Sequence, residues 1–166
     1  GVMMGTRSGD IDPTVVFYMA KKLGADWDEM DTYLNKRSGM LGVSGISSDA
    51  RDIQAAYEEG DARAKLTVDL YVNRMINVLG GYYTELGHVD AIVFTAGLGE
   101  NDIHMRERIL KKSEEALGLS IDYDLNNQVH GEEMKISKDD SRIAVYVIPT
   151  NEELVIARDT VRLLGL

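Results

Sequence analysis

Two short runs, DAIVFT at residues 90–95 and IAVYVI at residues 143–148, constrain the fold more than any other feature of the chain. Both are apolar at consecutive positions and rich in branched side chains. A strand that meets water on one face alternates; a run that is apolar throughout predicts a strand covered on both faces. Helical periodicity follows each run, over residues 103–117 and 151–164. Strand followed by helix, twice, predicts an α/β fold with a sheet that is at least partly parallel. Between the two units, residues 126–140 are polar, with one short edge strand expected at Met134, Lys135 and Ile136.

Upstream the signals are helical. Asp12 caps and Pro13 opens a first helix, Val15, Val16, Met19, Ala20 and Leu23 share one apolar face, and Gly24 ends it. A second helix over residues 26–36 turns Trp27, Met30 and Leu34 inward. Three glycines in residues 38–48 predict a loop, held down by Met40, Leu41, Val43 and Ile46. Ser47 or Ser48 caps a helix over residues 49–59. The longest pattern, residues 61–86, carries a buried stripe of Val68, Tyr71, Val72, Met75, Ile76 and Leu79, and Gly80-Gly81 predicts a kink or a close helix contact. A chain of 166 residues is long enough for one domain with a sizeable core, and the expectation is a single domain over residues 1–166.

Charge narrows the partners. With 28 acidic against 18 basic residues the formal net charge is −10, which repels nucleic acid. A nucleotide would need a bridging cation or a local basic site. There is no cysteine, hence no disulfide and no thiolate metal site, as fits a cytoplasmic protein. No apolar run approaches the roughly 18 residues of a membrane span. The opening GVMMGT is no plausible natural start, and the expectation is a fragment of something longer.

Ligands of open α/β sheets collect beyond the carboxyl ends of the strands. Two segments reach that edge: TAGLGEN after the first run, and PTNEEL after the second. Gly97 and Gly99 have two readings: a tight strand-to-helix turn, or side chains left out so that a flat ligand lies against the backbone. In the second, Glu100 and Asn101 hydrogen-bond a base or sugar edge. In the other segment, Thr150 and Glu153 read as a capping box. Glu152 is left with favourable charge at a helix N-terminus, or with holding Mg²⁺. In GTRSGDIDP, Arg7 either pairs with Asp10 or turns its fork to an anion. Arg51, in a helix's first turn, opposes the helix dipole; it marks either a ligand or a salt bridge near Asp52. His88, His104 and His130 lack metal-ligand spacing and read as surface residues.

Four segments in this order, MGTRSGDIDP, SGISSDARDI, VFTAGLGEN and VIPTNEELVIARDT, resemble the acetate kinases of the acetokinase family. The resemblance covers essentially the whole chain and matches the carboxyl-terminal part of a family chain more than twice as long. It implies an actin-like (ribonuclease H-like) domain, partial, with a mixed sheet flanked by helices. It also implies transfer of the γ-phosphoryl of ATP to acetate, giving ADP and acetyl phosphate, reversibly and with Mg²⁺. By resemblance, Arg7 stabilises the transferring phosphoryl group. Asp49, Ala50 and Arg51 lie against the adenosine, as do Gly97, Leu98, Gly99, Glu100 and Asn101, and Glu152 binds Mg²⁺. Ala50 departs from the bulkier residue often found there, which loosens one wall of the adenine pocket.

The family's catalytic Asp, its phosphoryl-contacting His residues, its substrate Arg and its phosphate hairpins have no counterpart in this chain. The 166-residue chain is therefore expected to be inactive alone. Propionate or butyrate remains open as the acyl group. In the family this domain also makes a homodimer contact, so the chain is alternatively a dimerisation module with a residual nucleotide site.

Overall fold

The computed structural model describes residues 1–165, and the chain divides into two compact units, Gly1–Gly87 and His88–Leu166. The first is helical: α1 Pro13–Leu23, α2 Trp27–Lys36, α3 Gly39–Ser44, α4 Ala50–Glu58 and α5 Ala62–Leu86. Their starts are carried by acids. Asp12 accepts from the Thr14 N–H, Asp61 from Ala64, and Asp26 forms a reciprocal capping box with Glu29. Met30, Met40, Ile53, Ala64, Val68, Tyr71 and Val72 form the buried set of this unit, with Met3 from the opening segment.

Several expectations need correction here. Residues 38–48 contain a helix, because Gly39 and Gly45 fall at the ends of α3 in left-handed conformations and leave only Gly42 inside. Gly39 has a further reason to be glycine: a Cβ there would collide with the Met4 carbonyl oxygen. The opening segment is thereby clamped to α3, with Met40 N–H donating to the Met4 carbonyl at 2.8 Å and Leu41 N–H to Gly5 at 2.9 Å. Asp49 rather than a serine caps α4. Trp27 is 66% exposed, not inward, and meets Phe17 edge-on. No residue of α1 is buried. The stripe of α5 is fully buried only from Ala64 to Val72. The helix runs on through Gly80 and Gly81, whose missing Cβ atoms would meet nothing within 4 Å.

The second unit holds β1 Ala91–Phe94, α6 Ala96–Asn101, α7 Ile103–Leu117, α8 Tyr123–Asn126, β2 Met134–Lys135, β3 Ala144–Val147 and α9 Glu152–Leu164. The sheet is mixed, in the order β1-β3-β2: β1 runs parallel to β3, with Phe94 opposite Val147, and β2 runs antiparallel to it. This is the α/β arrangement that the two apolar runs predict. Neither strand meets the two-face expectation in full: in the central strand Val145 and Val147, on one face, are fully buried while Ala144 and Tyr146, on the other, are half-buried, and β1 is an edge strand with Val93 46% exposed. Met105, Ile109, Leu110, Leu117, Leu119, Ile121, Val129, Ile136 and Ile143 are buried with them.

Candidate functional site

Because β1 and β3 are parallel neighbours, the segments that leave them emerge side by side at the carboxyl edge of the sheet. They are cross-tied there. The Thr95 and Thr150 hydroxyls lie 2.7 Å apart, and the Ala96 N–H donates to Thr150 Oγ1 at 3.1 Å. The Thr150 N–H donates to Glu100 Oε1 at 2.7 Å. That amide, first among several contacts, holds the Glu100 carboxyl below its ordinary range. The Thr150 hydroxyl is thus used between strands, and the expected capping box does not form: Asn151 caps α9 by accepting from the Leu154 N–H at 2.9 Å.

The two glycines of this corner differ. The left-handed conformation that turns the chain falls on Ala96, with φ of 59°, and not on either glycine. A Cβ on Gly99 would stand 3.2 Å from the Phe94 carbonyl carbon, so close packing of α6 on β1 accounts for this glycine. A Cβ on Gly97 would meet nothing within 4 Å. The tight-turn reading therefore explains Gly99 and leaves Gly97 unexplained. Leu98 is half-buried between them. Asn101 Nδ2 donates to the Gly97 carbonyl at 3.1 Å, so both polar side chains of the motif have partners within it or beside it.

Glu152 is exposed in the first turn of α9, two residues beyond Thr150. Among the described residues no group of three or more His, Asp or Glu side chains is placed to hold a metal ion. A lone exposed carboxylate suits Mg²⁺ shared with phosphate oxygens and water, not a cage built by protein alone. The three histidines are exposed, as expected; His88 pairs with Asp90 at 2.9 Å.

In the first unit, Arg7 is exposed, and its Nε donates to Asn35 Oδ1 at 3.2 Å. Asp10, the partner considered for it, pairs with Arg74 at 2.5 Å instead. Among the described residues no carboxylate reaches Arg7, so its guanidinium keeps donors for an anion. The segment carrying it packs against the start of α4: a Cβ on Gly5 would stand 2.8 Å from the Ser48 carbonyl oxygen. One residue on, Asp49 pairs with Arg51 at 2.5 Å. The hydrogen bonds from Arg51 bring the Asp49 carboxyl down to about 2. Asp52 is not the partner of Arg51; it accepts from Ser47 Oγ at 2.7 Å. Ala50, between them, is half-buried.

The Acetokinase family profile matches residues 1–158. The chain belongs to the acetokinase family. It is 54% identical over 163 residues to the acetate kinase of Finegoldia magna, a match that covers 98% of this chain and 41% of that protein. The chain thus spans about two-fifths of the length of the curated relatives it matches. Among solved structures, the acetate kinase of Porphyromonas gingivalis superposes with a TM-score of 0.90 at 43% identity, over 99% of this chain and 41% of that one. A propionate kinase from Francisella tularensis gives 0.86 at 36% identity, over 96% and 40%.

In this acetokinase chain, one residue of the corner escapes the reading of motifs. Arg106 is 1% exposed and donates to the carbonyls that end α6. A signal for it exists. On α7 the buried positions are 105, 106, 109, 110, 113 and 117, a helical stripe that is apolar apart from Arg106 and Ser113. A guanidinium inside such a stripe needs buried acceptors.

Proposed function

We propose that this chain is the carboxyl-terminal, nucleotide-side part of an enzyme that transfers the γ-phosphoryl of ATP to acetate, reversibly, giving ADP and acetyl phosphate. Acetate is taken as the acceptor because the curated relatives that match at 54% and 53% identity are acetate kinases; identity to solved structures does not separate the two acceptors, since the acetate kinase of Entamoeba histolytica stands at 34% and the propionate kinase at 36%. The observation that carries the nucleotide reading is the open space at Gly97 beside a Gly99 that packing requires. A glycine that neither backbone conformation nor packing demands, at the ligand edge of a parallel strand pair, leaves a bare strip of backbone for a flat ring.

In this reading Gly97, Leu98, Gly99, Glu100 and Asn101 form the adenosine shelf, and Asp49, Ala50 and Arg51 are adenosine-contacting residues by resemblance to the family. Their mutual ion pair holds Arg51 in one orientation. Arg7, which no carboxylate among the described residues neutralises, compensates charge on the transferring phosphoryl group; phosphoryl transfer depends chiefly on such positioning and charge. Glu152 holds Mg²⁺ directly or through water. Bound there, the ion would neutralise phosphate charge and let a chain of net charge −10 accept a triphosphate. The protein is expected in the cytoplasm.

The test is made in the full-length enzyme, where Gly97→Trp should raise KM for ATP steeply and leave KM for the acyl acceptor unchanged. An unchanged KM for ATP would remove the shelf. The 166-residue chain alone should form no acyl phosphate from ATP; measurable formation refutes that part.

A second reading, assembly as a homodimer, is favoured by α9. Leu154, Val155, Ile156, Val161, Leu163 and Leu164 are all exposed on it, and an apolar surface of that extent calls for a cover. Sedimentation over a range of concentrations checks it: a monomer throughout excludes this reading for the chain.

A further inference from the structure

Arg106 makes five hydrogen bonds, all to neutral oxygens. Nη1 donates to the carbonyls of Gly99 at 3.0 Å and Glu100 at 2.9 Å. Nη2 donates to the carbonyls of Asn126 at 3.0 Å and Val129 at 2.8 Å, and Nε to Asn126 Oδ1 at 2.9 Å. Asn126, itself fully buried, returns Nδ2 to the Ile103 carbonyl at 3.2 Å. No carboxylate takes part. Burial pushes the Arg106 pKa below the ordinary arginine value, and the group stays charged at neutral pH all the same.

A buried cation spent on carbonyls is an unusual way to stabilise a core, because desolvation works against it. What it does well is fix position. The last carbonyls of a helix have no acceptor role inside that helix, and they form the negative end of its dipole. Arg106 meets both needs for α6. It also ties α6 to α8 and to the loop at Val129, through a planar fork that a flexible amine does not reproduce. At the other side of α6, Thr150 accepts from the Ala96 N–H and donates its own N–H to the Glu100 side chain. Glu100 is thus held twice, by its carboxylate and by its carbonyl, which also accepts from the Gly131 N–H at 3.1 Å. The α6 segment is clamped at both ends, and the strip left free between the clamps is Gly97.

We infer that Arg106 is a positioning residue for the nucleotide: from beneath α6 it sets the height and tilt of the Gly97 strip, and so governs ATP affinity without touching ATP. The inference rests on the shelf reading above. A cation that merely filled the core would affect every kinetic parameter alike once lost. A cation that aligns the shelf affects the nucleotide selectively.

The experiment is steady-state kinetics on the full-length enzyme carrying Arg106→Lys, which keeps the charge and loses the fork. KM for ATP should rise about tenfold, since a displacement well under 1 Å suffices for that. KM for the acyl acceptor should stay within roughly twofold and kcat within roughly threefold, the pattern of lost uniform binding. Asn126→Ala, which takes only the Nε acceptor from Arg106 and also loses the Nδ2 bonds to the Ile103 carbonyl and Asn127 Oδ1, should shift KM for ATP in the same direction by a smaller factor. It also serves as the deciding variant if Arg106→Lys does not fold. An unchanged KM for ATP in the folded variant overturns the inference, as does an equal rise in both KM values. Gly97→Trp separates the two levels. If it leaves KM for ATP unchanged, the shelf reading itself fails. If it raises KM and the Arg106 and Asn126 variants do not, only the positioning role fails.

Discussion

Replacing each of the two motif glycines by alanine should move stability in opposite directions. Gly97 lies in α6 with an ordinary backbone conformation, and a methyl group there meets no atom within 4 Å. Gly97→Ala should therefore gain the helix preference of alanine, about 0.5–1 kcal/mol. For a chain of this length that is a rise in Tm of about 1–4 °C. At Gly99 the same methyl would stand 3.2 Å from the carbonyl carbon of Phe94 and 3.5 Å from its Cα and Cβ. Phe94 cannot retreat easily, because its carbonyl accepts from the Ile148 N–H at 2.9 Å within the strand pairing. Overpacking against a fixed backbone costs about 1–3 kcal/mol, which exceeds the preference gained. Gly99→Ala should thus lower Tm by a few degrees, of the order of 2–4 °C for each net kcal/mol.

Function should separate from stability at Gly97. In the full-length enzyme the stabilised Gly97→Ala variant should bind ATP more weakly, with KM raised about tenfold, because the methyl occupies the strip kept bare for the ring. Thermal melts by circular dichroism and initial rates against ATP concentration are the two assays. A lower Tm for Gly97→Ala would mean that the fold demands this glycine after all. A higher Tm with unchanged KM would mean that the open face is not the nucleotide's. Either result refutes the reasoning from the missing Cβ.

Arg7→Ala in the full-length enzyme should lower kcat by about a thousandfold or more, the range of an arginine that compensates transferring charge. Its Tm should hardly change, since Asn35 is the partner it loses. Glu152→Ala should raise the Mg²⁺ concentration for half-maximal rate about tenfold. Glu153→Ala should leave that requirement alone and cost only a degree or so of Tm through the helix dipole, because the capping box is not formed. Asp49 is held at about 2, below its ordinary 3.8, mainly by hydrogen bonds from Arg51. A depressed carboxyl stabilises the fold above its unfolded pKa and loses that contribution as pH falls through the folded one. Urea midpoints of wild type and Asp49→Asn should therefore differ above pH 3.8 and converge as pH approaches 2.

The legible parts were those in which local chemistry and tertiary structure agree. Asp12 before Pro13, Gly24 after Leu23, and Asp61 before α5 mark helix ends through contacts within a few residues. The apolar runs at residues 90–95 and 143–148 marked β1 and β3, and their parallel pairing followed from the helices after them. Misreadings fell where a distant partner decides. Thr150 looked like a cap because the sequence carries the capping pattern; its hydroxyl instead meets Thr95 and Ala96, 55 and 54 residues away. Trp27 looked inward from helical spacing, yet Phe17 meets it only edge-on and it stays 66% exposed. The loop expected at residues 38–48 failed because glycine at a helix end promotes the helix that glycine inside would weaken.

From its residues alone the chain declares its family and its α/β class and offers the motifs on which a site is proposed, because these lie in short contiguous stretches whose order and spacing survive without coordinates. Tertiary structure alone separated Gly97 from Gly99, gave Asp10 to Arg74 and left Arg7 without a carboxylate among the described residues. It also placed Arg106 under α6. The physical reason is common to all four. Whether a glycine is required, an arginine neutralised or a buried charge tolerated depends on which atoms arrive from elsewhere in the chain, and the distance at which they arrive is set only when the chain has packed.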